Sequence, residues 1–193
     1  MKMNKLKYIF LSIALLLFFT IGCSIFINRG KFINPNGINN FEACVDAGYV
    51  VRESYPRQCS APNGKIFAED IGNEFRKWDV IKIANPRPNQ EIKSPLIING
   101  EAKGSWFFEA QFRIKLLDGN KKIIATSVAH AQEDWMTDEF VAFNVVIDFE
   151  KPSTKKGTLV LEKSNPSGLN QNADQLEVPV VFADDFFEIF DVL

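Results

Sequence analysis

The chain has 193 residues, of which 46% are hydrophobic and 24% charged, and a formal net charge of −2. This is the composition of a globular protein, which excludes disorder throughout, and the length suits one ordinary domain with attachments or two small ones. No basic stripe, Lys/Arg-rich arm or nucleic-acid motif occurs, so nucleic acid is not expected as a partner.

Lys2, Lys5 and Lys7 precede an apolar run from Tyr8 to Gly22, the layout of an export signal. The run ends in Thr20-Ile21-Gly22-Cys23, which resembles the lipobox of bacterial lipoproteins, where a small residue precedes a cysteine that is lipidated and becomes the mature N-terminus. Thr20 departs from that pattern, whose corresponding position usually carries an aliphatic residue. The alternative is an uncleaved anchor, since Tyr8 to Ile27 is twenty residues and about 20 span a bilayer. Residues 1–22 are therefore expected to be a signal peptide or membrane anchor, with Cys23 as the lipidation site in the first case. Both readings place the rest on the extracytoplasmic face of the cell membrane or envelope, because the lysines stay inside. Without its first 22 residues the chain has 19 basic and 24 acidic side chains, a net of about −5. Such a surface does not favour anionic lipid, so membrane contact is expected through the lipid or anchor alone.

Three cysteines in an exported chain leave one unpaired or modified. Cys23 fits the lipid role. Cys44 and Cys59 can then close a disulfide loop of about 15 residues, worth roughly 3 kcal/mol in the chain-entropy model; two free buried thiols are the other reading.

Residues 23–40 read as a tether, because NRGKFINPNGINN offers turns and little to bury. Residues 41–70 form a compact two-cysteine stretch. Asn40 caps one or two helical turns through Cys44 that stop at Gly48, Tyr49–Arg52 and Lys65–Ala68 read as short strands, and Asn63-Gly64 signals a tight turn. About 30 residues are too few for an independent core, which gives the disulfide its importance. With CVDAG, YPRQC and GKIF, the stretch resembles a short two-cysteine module of uncharacterised exported prokaryotic proteins. CSAPNGKIF also resembles the Kazal inhibitor motif, but Kazal domains carry six cysteines and this stretch has two.

From Trp78 the pattern alternates with period two. Phe108, Ala110, Phe112, Ile114 and Leu116 fall on one face of a half-buried strand, with Glu109, Gln111, Arg113 and Lys115 on the other. The same alternation recurs through Val141–Phe149, Leu159 with Leu161, and Leu176–Phe182. Seven strands are expected, at 78–84, 96–102, 107–117, 122–131, 140–149, 157–164 and 176–182. Without intervening helices they imply an all-β, seven-stranded antiparallel two-sheet sandwich over residues 76–183, with a small barrel as the alternative. Pro179 marks the last strand as an edge or bulged strand.

The stretches NPRPNQEIKSPLIINGEAKGSWFFEAQF, DWMTDEFVAF, GTLVLEKSNPSG and VPVVF, taken together, resemble the immunoglobulin-like domain of bacterial spore germination proteins, from about Trp78 to Phe182. The resemblance implies an immunoglobulin-like sandwich and an extracytoplasmic binding or adhesion role without a defined ligand. Germination proteins usually carry another domain upstream, whereas this chain has the two-cysteine module, so a role in spores does not carry over.

If consecutive strands alternate in direction, the loops at Lys103–Trp106, Glu133–Glu139 and Asn165–Gln175 share one end of the sandwich. Trp106, Asp134, Trp135, Met136, Asn165 and Ser167 then form a candidate binding rim. The competing reading is that both tryptophans plug the end of the core and that Asn165-Pro166-Ser167-Gly168 is only a turn. His130 lacks any partner motif, and no nucleophile elbow, phosphate loop, carboxylate pair or calcium loop is present, so neither catalysis nor a metal or cofactor is expected. Residues 184–193 are an acidic-hydrophobic tail that either packs on the sandwich or docks on a partner. The first functional expectation is a membrane-tethered, non-catalytic binding or adhesion protein with an unknown protein or glycan partner. A structural or assembly role in the cell envelope is the second, and an enzyme or protease-inhibitor-like module the third.

Overall fold

The computed structural model describes residues 37–184. The expected signal or anchor, Cys23, most of the tether and the tail beyond Asp184 lie outside the described residues. The chain forms two compact units: residues 37–51 with 59–67, and residues 52–58 with 68–184. The division interleaves along the sequence, because part of the stretch between the cysteines belongs to the second unit.

In the first unit, helix α1 (Phe41–Asp46) starts where the Asn40 side chain accepts the Ala43 N–H at 2.7 Å. That bond satisfies one of the donors a helix start leaves free. The helix ends before Gly48, whose φ of +78° suits glycine. Three short strands follow in the order β1 (Val51–Arg52), β2 (Gln58–Ser60), β3 (Ile66–Ala68). Asn63-Gly64 makes the expected turn, with Gly64 at φ +80° and the Lys65 N–H on the Asn63 carboxamide oxygen at 3.0 Å. Cys44 and Cys59 are bonded as a disulfide and are fully buried with Ile38, Phe41 and Ala61. Among the described residues this small cluster stands in for an extended core.

The second unit is an immunoglobulin-like β fold. Its strands are β4 (Ile81–Asn85), β5 (Glu91–Ile92), β6 (Leu96–Lys103), β7 (Gln111–Asp118), β8 (Ile123–Ala131), β9 (Phe140–Ile147), β10 (Lys156–Glu162) and β11 (Gln175–Phe182). They form one curled sheet in the order β4-β6-β9-β8-β7-β10-β11-β5. The link between β8 and β9 is only His130 with Asn144 and Ala131 with Phe143, and there the sheet folds back on itself. Phe112 of β7 and Phe143 of β9, from strands that are not neighbours, consequently meet edge-on across the core with ring centres 5.0 Å apart. The inward residues are those the alternation marks: Phe112, Ile114, Leu116, Val141, Phe143, Ile147, Leu159, Leu161, Leu176, Val178, Val180 and Phe182 are all buried.

Three details differ from the sequence reading. An eighth strand, β5, pairs parallel with β11 through Val181–Glu91 and Phe182–Ile92. Pro86 and Pro88 separate it from β4, and a residue without an N–H cannot extend the ladder, so the chain leaves one layer and rejoins the other. Trp78 does not open a strand. It follows a one-turn helix, α2 (Glu74–Lys77), and β4 begins only at Ile81. Nor does Phe108 lie on the inward face. Glu109 and Ala110 have φ of +52° and +61°, and Phe108 and Gln111 exchange backbone hydrogen bonds at 3.1 Å across a two-residue turn. This turn shifts the register, so that Phe107 is buried and Phe108 exposed.

Pro179 sits as an edge position requires. Its carbonyl accepts the Asn89 N–H at 2.7 Å, so its backbone faces away from β10 and its missing donor breaks no ladder bond. The same outer edge is covered by Asn73, whose carboxamide accepts the Glu177 N–H at 2.8 Å and donates to the Gln175 carbonyl at 2.9 Å. Gly72 comes so close that a Cβ there would lie 2.0 Å from the Glu177 oxygen.

Beside this cover, Arg57 holds Glu69 in a two-pronged pair, Nε to Oε2 at 2.9 Å and Nη2 to Oε1 at 2.6 Å, joined by Asn89 Nδ2 at 3.1 Å. Hydrogen bonds from Arg57 hold the Glu69 carboxyl below its ordinary value of 4.5. A carboxylate whose folded pKa is depressed contributes stability that is present above the unfolded value and lost as pH falls through the folded one. Glu69→Gln should therefore lower the melting temperature at pH 7, and the difference from wild type should shrink progressively as pH drops below about 4.5. Thermal melts from pH 7 to pH 3 check this; a difference that stays constant with pH contradicts it.

Candidate functional site

The three loops expected at one end of the sandwich do converge there. Gly104 is packed so tightly against the β8–β9 loop that a Cβ would lie 2.0 Å from the Thr137 oxygen and 2.2 Å from that of Trp135. Trp106, in the short 3-10 turn Gly104–Trp106, accepts the Ser164 N–H on its carbonyl at 3.0 Å, and the Ser164 hydroxyl donates to the Gln111 carbonyl at 2.6 Å. These bonds tie the β10–β11 loop to the β6–β7 loop.

The end is not the aromatic rim expected from the sequence. Trp106 is only 1% exposed and belongs to the core, where its indole N–H has no hydrogen-bond partner among the described residues. Burying so large a ring outweighs one orphaned donor, which costs roughly 1–3 kcal/mol. Trp135 is half-buried against the same core. Asp134 accepts the Met136 N–H at 3.0 Å and shapes the loop, leaving Met136 76% exposed. Asn165 and Ser167 bond within their own turn: Ser167 Oγ donates to Asn165 Oδ1 at 2.6 Å, Asn165 Nδ2 donates to the Leu169 carbonyl at 2.9 Å, and Gly168 takes φ +64°. Of the six rim residues, Asp134, Met136 and Ser167 are exposed, and Met136 alone presents an apolar side chain there.

Beside this end lies an open groove of about 780 Å³ that the sequence reading missed. It is lined by Arg76 and Lys77 of α2, by Phe108 and Arg113 of the β7 region, and by Lys163 and Asp174 of the β10–β11 loop. Lys77 pairs with Asp174 at 2.5 Å, and Glu162 takes Lys115 at 2.5 Å and Arg113 at 3.8 Å. Among the described residues neither Arg76 nor Lys163 has a carboxylate partner. The groove thus has four cations against the two acids Glu162 and Asp174 in a chain of net negative charge. Its exposed aromatic is Phe108, at 43%. The one sequence signal for it was the run Trp106-Phe107-Phe108, since three successive aromatics cannot share one face of a strand.

The wall supplied by α2 is fixed by Glu74, whose side chain has no exposed surface. Tyr55 donates its hydroxyl to Glu74 Oε2 in a very short contact. Arg87 Nη1 lies 2.7 Å from Glu74 Oε1, an ion-pair distance off the line of a directed hydrogen bond, and donates instead to the Ile83 carbonyl at 2.5 Å. Arg87 Nη2 donates to the Tyr55 oxygen at 2.7 Å, and the guanidinium lies 5.3 Å from the Tyr55 ring centre. Tyr55 in turn meets Phe75 edge-on at 5.6 Å. All three polar groups are engaged with one another, so the cluster acts as a lock on α2. Among the described residues no group of three or more His, Cys, Asp or Glu could hold a metal ion, and no helix is long and apolar enough to cross a membrane.

Residues 80–169 match the family model of the immunoglobulin-like domain of bacterial spore germination. The match runs from the start of β4 into the β10–β11 loop; it includes neither β11 nor the disulfide-linked unit. No curated protein and no solved structure matches the chain.

Removing one member of a buried ion pair leaves the other charge uncompensated, at a cost of about 3–5 kcal/mol. Glu74 is fully buried but Arg87 is 40% exposed, so Arg87→Ala should destabilise the second unit by less than that amount, and adding Glu74→Gln should restore part of the loss. Chemical denaturation of the single and double variants measures both; additive losses would contradict the coupling.

Proposed function

We propose that this chain is a membrane-tethered, extracytoplasmic, non-catalytic binding or adhesion protein that presents its immunoglobulin-like domain to a partner. The observation that carries the reading is the cationic groove at the loop end of the sandwich, where among the described residues Arg76 and Lys163 have no carboxylate partner beside an exposed Phe108. Loop clusters on a rigid sandwich are common binding surfaces, and a concave site with fixed charges and one aromatic suits recognition. The groove has basic and amide side chains but no paired nucleophile and base, which supports binding over catalysis. The tether rests on the sequence: the lysines ahead of the apolar run and the lipobox-like Thr20–Cys23. The disulfide suits an oxidising, exported location.

A structural or assembly role in the envelope is the second reading. It is favoured by Ile97 and Val146, which face each other across β6 and β9 and are both exposed.

Two measurements test the proposal. In a pull-down from envelope extracts, the full chain should recover partners that Arg76→Glu/Lys163→Glu, folded by circular dichroism, loses by about tenfold; equal recovery would sink the groove as the binding surface. Mass spectrometry of the mature N-terminus should show a lipid on Cys23, and an unmodified Cys23 would overturn lipid tethering.

A further inference from the structure

The groove's chemistry suggests its occupant: an acidic segment with aromatic side chains. The chain carries one immediately after the sandwich, Asp185-Phe186-Phe187-Glu188-Ile189-Phe190, with two acids, three phenylalanines and no cation. We propose that the groove of one copy takes residues 185–190 of a second copy, which gives a head-to-tail contact between chains. This rests on the reading of the groove as a binding site.

Charge and geometry favour a second copy over self-docking. Gln175, at the start of β11, lines the groove. Phe182 ends the same strand seven residues later, which at about 3.4 Å per residue places it roughly 24 Å from the groove. There Asp184 is held by Lys155 Nζ at 2.7 Å on its carboxylate and by Lys151 Nζ at 2.5 Å on its carbonyl. From that fixed point Asp185 and Glu188 are one and four residues away, within about 14 Å even when fully extended. Asp185 and Glu188 therefore fall short of the groove of their own chain, and Asp191, seven residues on, would span the roughly 24 Å only with the whole segment fully extended, whereas a second chain presents its groove without that limit. Such a contact joins two different surfaces and so is heterologous. The groove's four cations would meet the acids, and Phe108 would receive the aromatics.

The test uses the full chain in detergent and a labelled synthetic peptide of residues 184–193, followed by fluorescence anisotropy. Arg76→Glu/Lys163→Glu should bind the peptide about tenfold more weakly, and so should wild type with a scrambled peptide of the same composition. Binding should also weaken as salt rises. No binding, equal binding by the groove variant, or equal binding of the scrambled peptide overturns the proposal. In light scattering, the mass should rise with concentration for wild type. It should stay at one chain for the groove variant and for Asp185→Lys/Glu188→Lys, and rise again when those two variants are mixed, because the intact groove of the one can take the intact segment of the other and the reversed groove can take the reversed segment. A wild-type mass of one chain at every concentration, or no rescue on mixing, also overturns it. If these tests fail while recovery from envelope extracts still depends on Arg76 and Lys163, the groove remains a binding site and only its occupant is wrong; if recovery is also independent of them, the groove reading falls as well.

Discussion

A four-residue helix has no means of holding its own shape in water, since one turn fixes many dihedral angles for very few hydrogen bonds. Helix α2 nonetheless forms a wall of the groove, and it is held there by the burial of Glu74. A carboxylate without exposed surface must find a cation and donors or remain uncharged, and it finds them in Arg87 and Tyr55. Three segments distant in sequence are brought together by that one requirement. With Glu74 pointing inward, Asn73, Arg76 and Lys77 fall along one side of the turn, toward the groove, while Phe75 and Trp78 share another. The orientation of the two basic side chains is thus a consequence of where the acid went.

The sandwich behind that wall is made rigid by large rings seated on glycines. A Cβ at Gly100 would lie 2.2 Å from the Lys82 oxygen and 2.8 Å from the Phe143 ring; one at Gly157 would lie 2.4 Å from the Leu117 oxygen and 2.5 Å from the Phe182 ring. Phe143 in turn meets Phe112, and Phe182 meets Phe149 at 5.8 Å. Two aromatic pairs therefore fill the core at different levels, each occupying the space a missing side chain leaves. A close-packed interior of this kind resists small shifts, so the loops at its end are positioned by the core more than by their own composition.

The alternation that builds the core was legible in the sequence because a period of two has one physical meaning when half of a strand is buried: Ile114, Leu116, Leu159, Leu161 and Val178 are inward as the pattern requires. The convergence of three loops was also legible, since it follows from alternating strand direction. What lay beyond sequence reasoning were the points where tertiary contacts override local signals. The turn at Glu109-Ala110 has neither glycine nor asparagine to announce it. Glu74 looks like any surface acid until Arg87 and Tyr55 arrive from elsewhere. For Trp106 and Trp135 the sequence left a rim and a plugged core as rival readings; ring area favours the core wherever the end of a sandwich leaves room, and Trp106 took that room. Arg76, Lys77, Arg113 and Lys163 are far apart in the sequence, and only the folded chain makes them one groove.

The Glu109-Ala110 turn bears most directly on function. Left-handed backbone costs roughly 1–2 kcal/mol per non-glycine residue, and here two such residues stand in succession. The turn is held by the paired Phe108–Gln111 bonds and by the Ala131 N–H on the Ala110 carbonyl at 2.8 Å. A regular strand through these positions would avoid the strain and bury Phe108 in place of Phe107, so the strained turn decides which of the two rings faces outward. Strain that persists because its surroundings enforce it concentrates at sites of function. In the groove Lys77 and Arg113 are paired with Asp174 and Glu162, while on the proposed reading Arg76 and Lys163 would supply the charge that steers and orients a partner. Phe108 supplies the apolar area on which affinity would depend, as buried aromatic anchors do at the centres of interfaces.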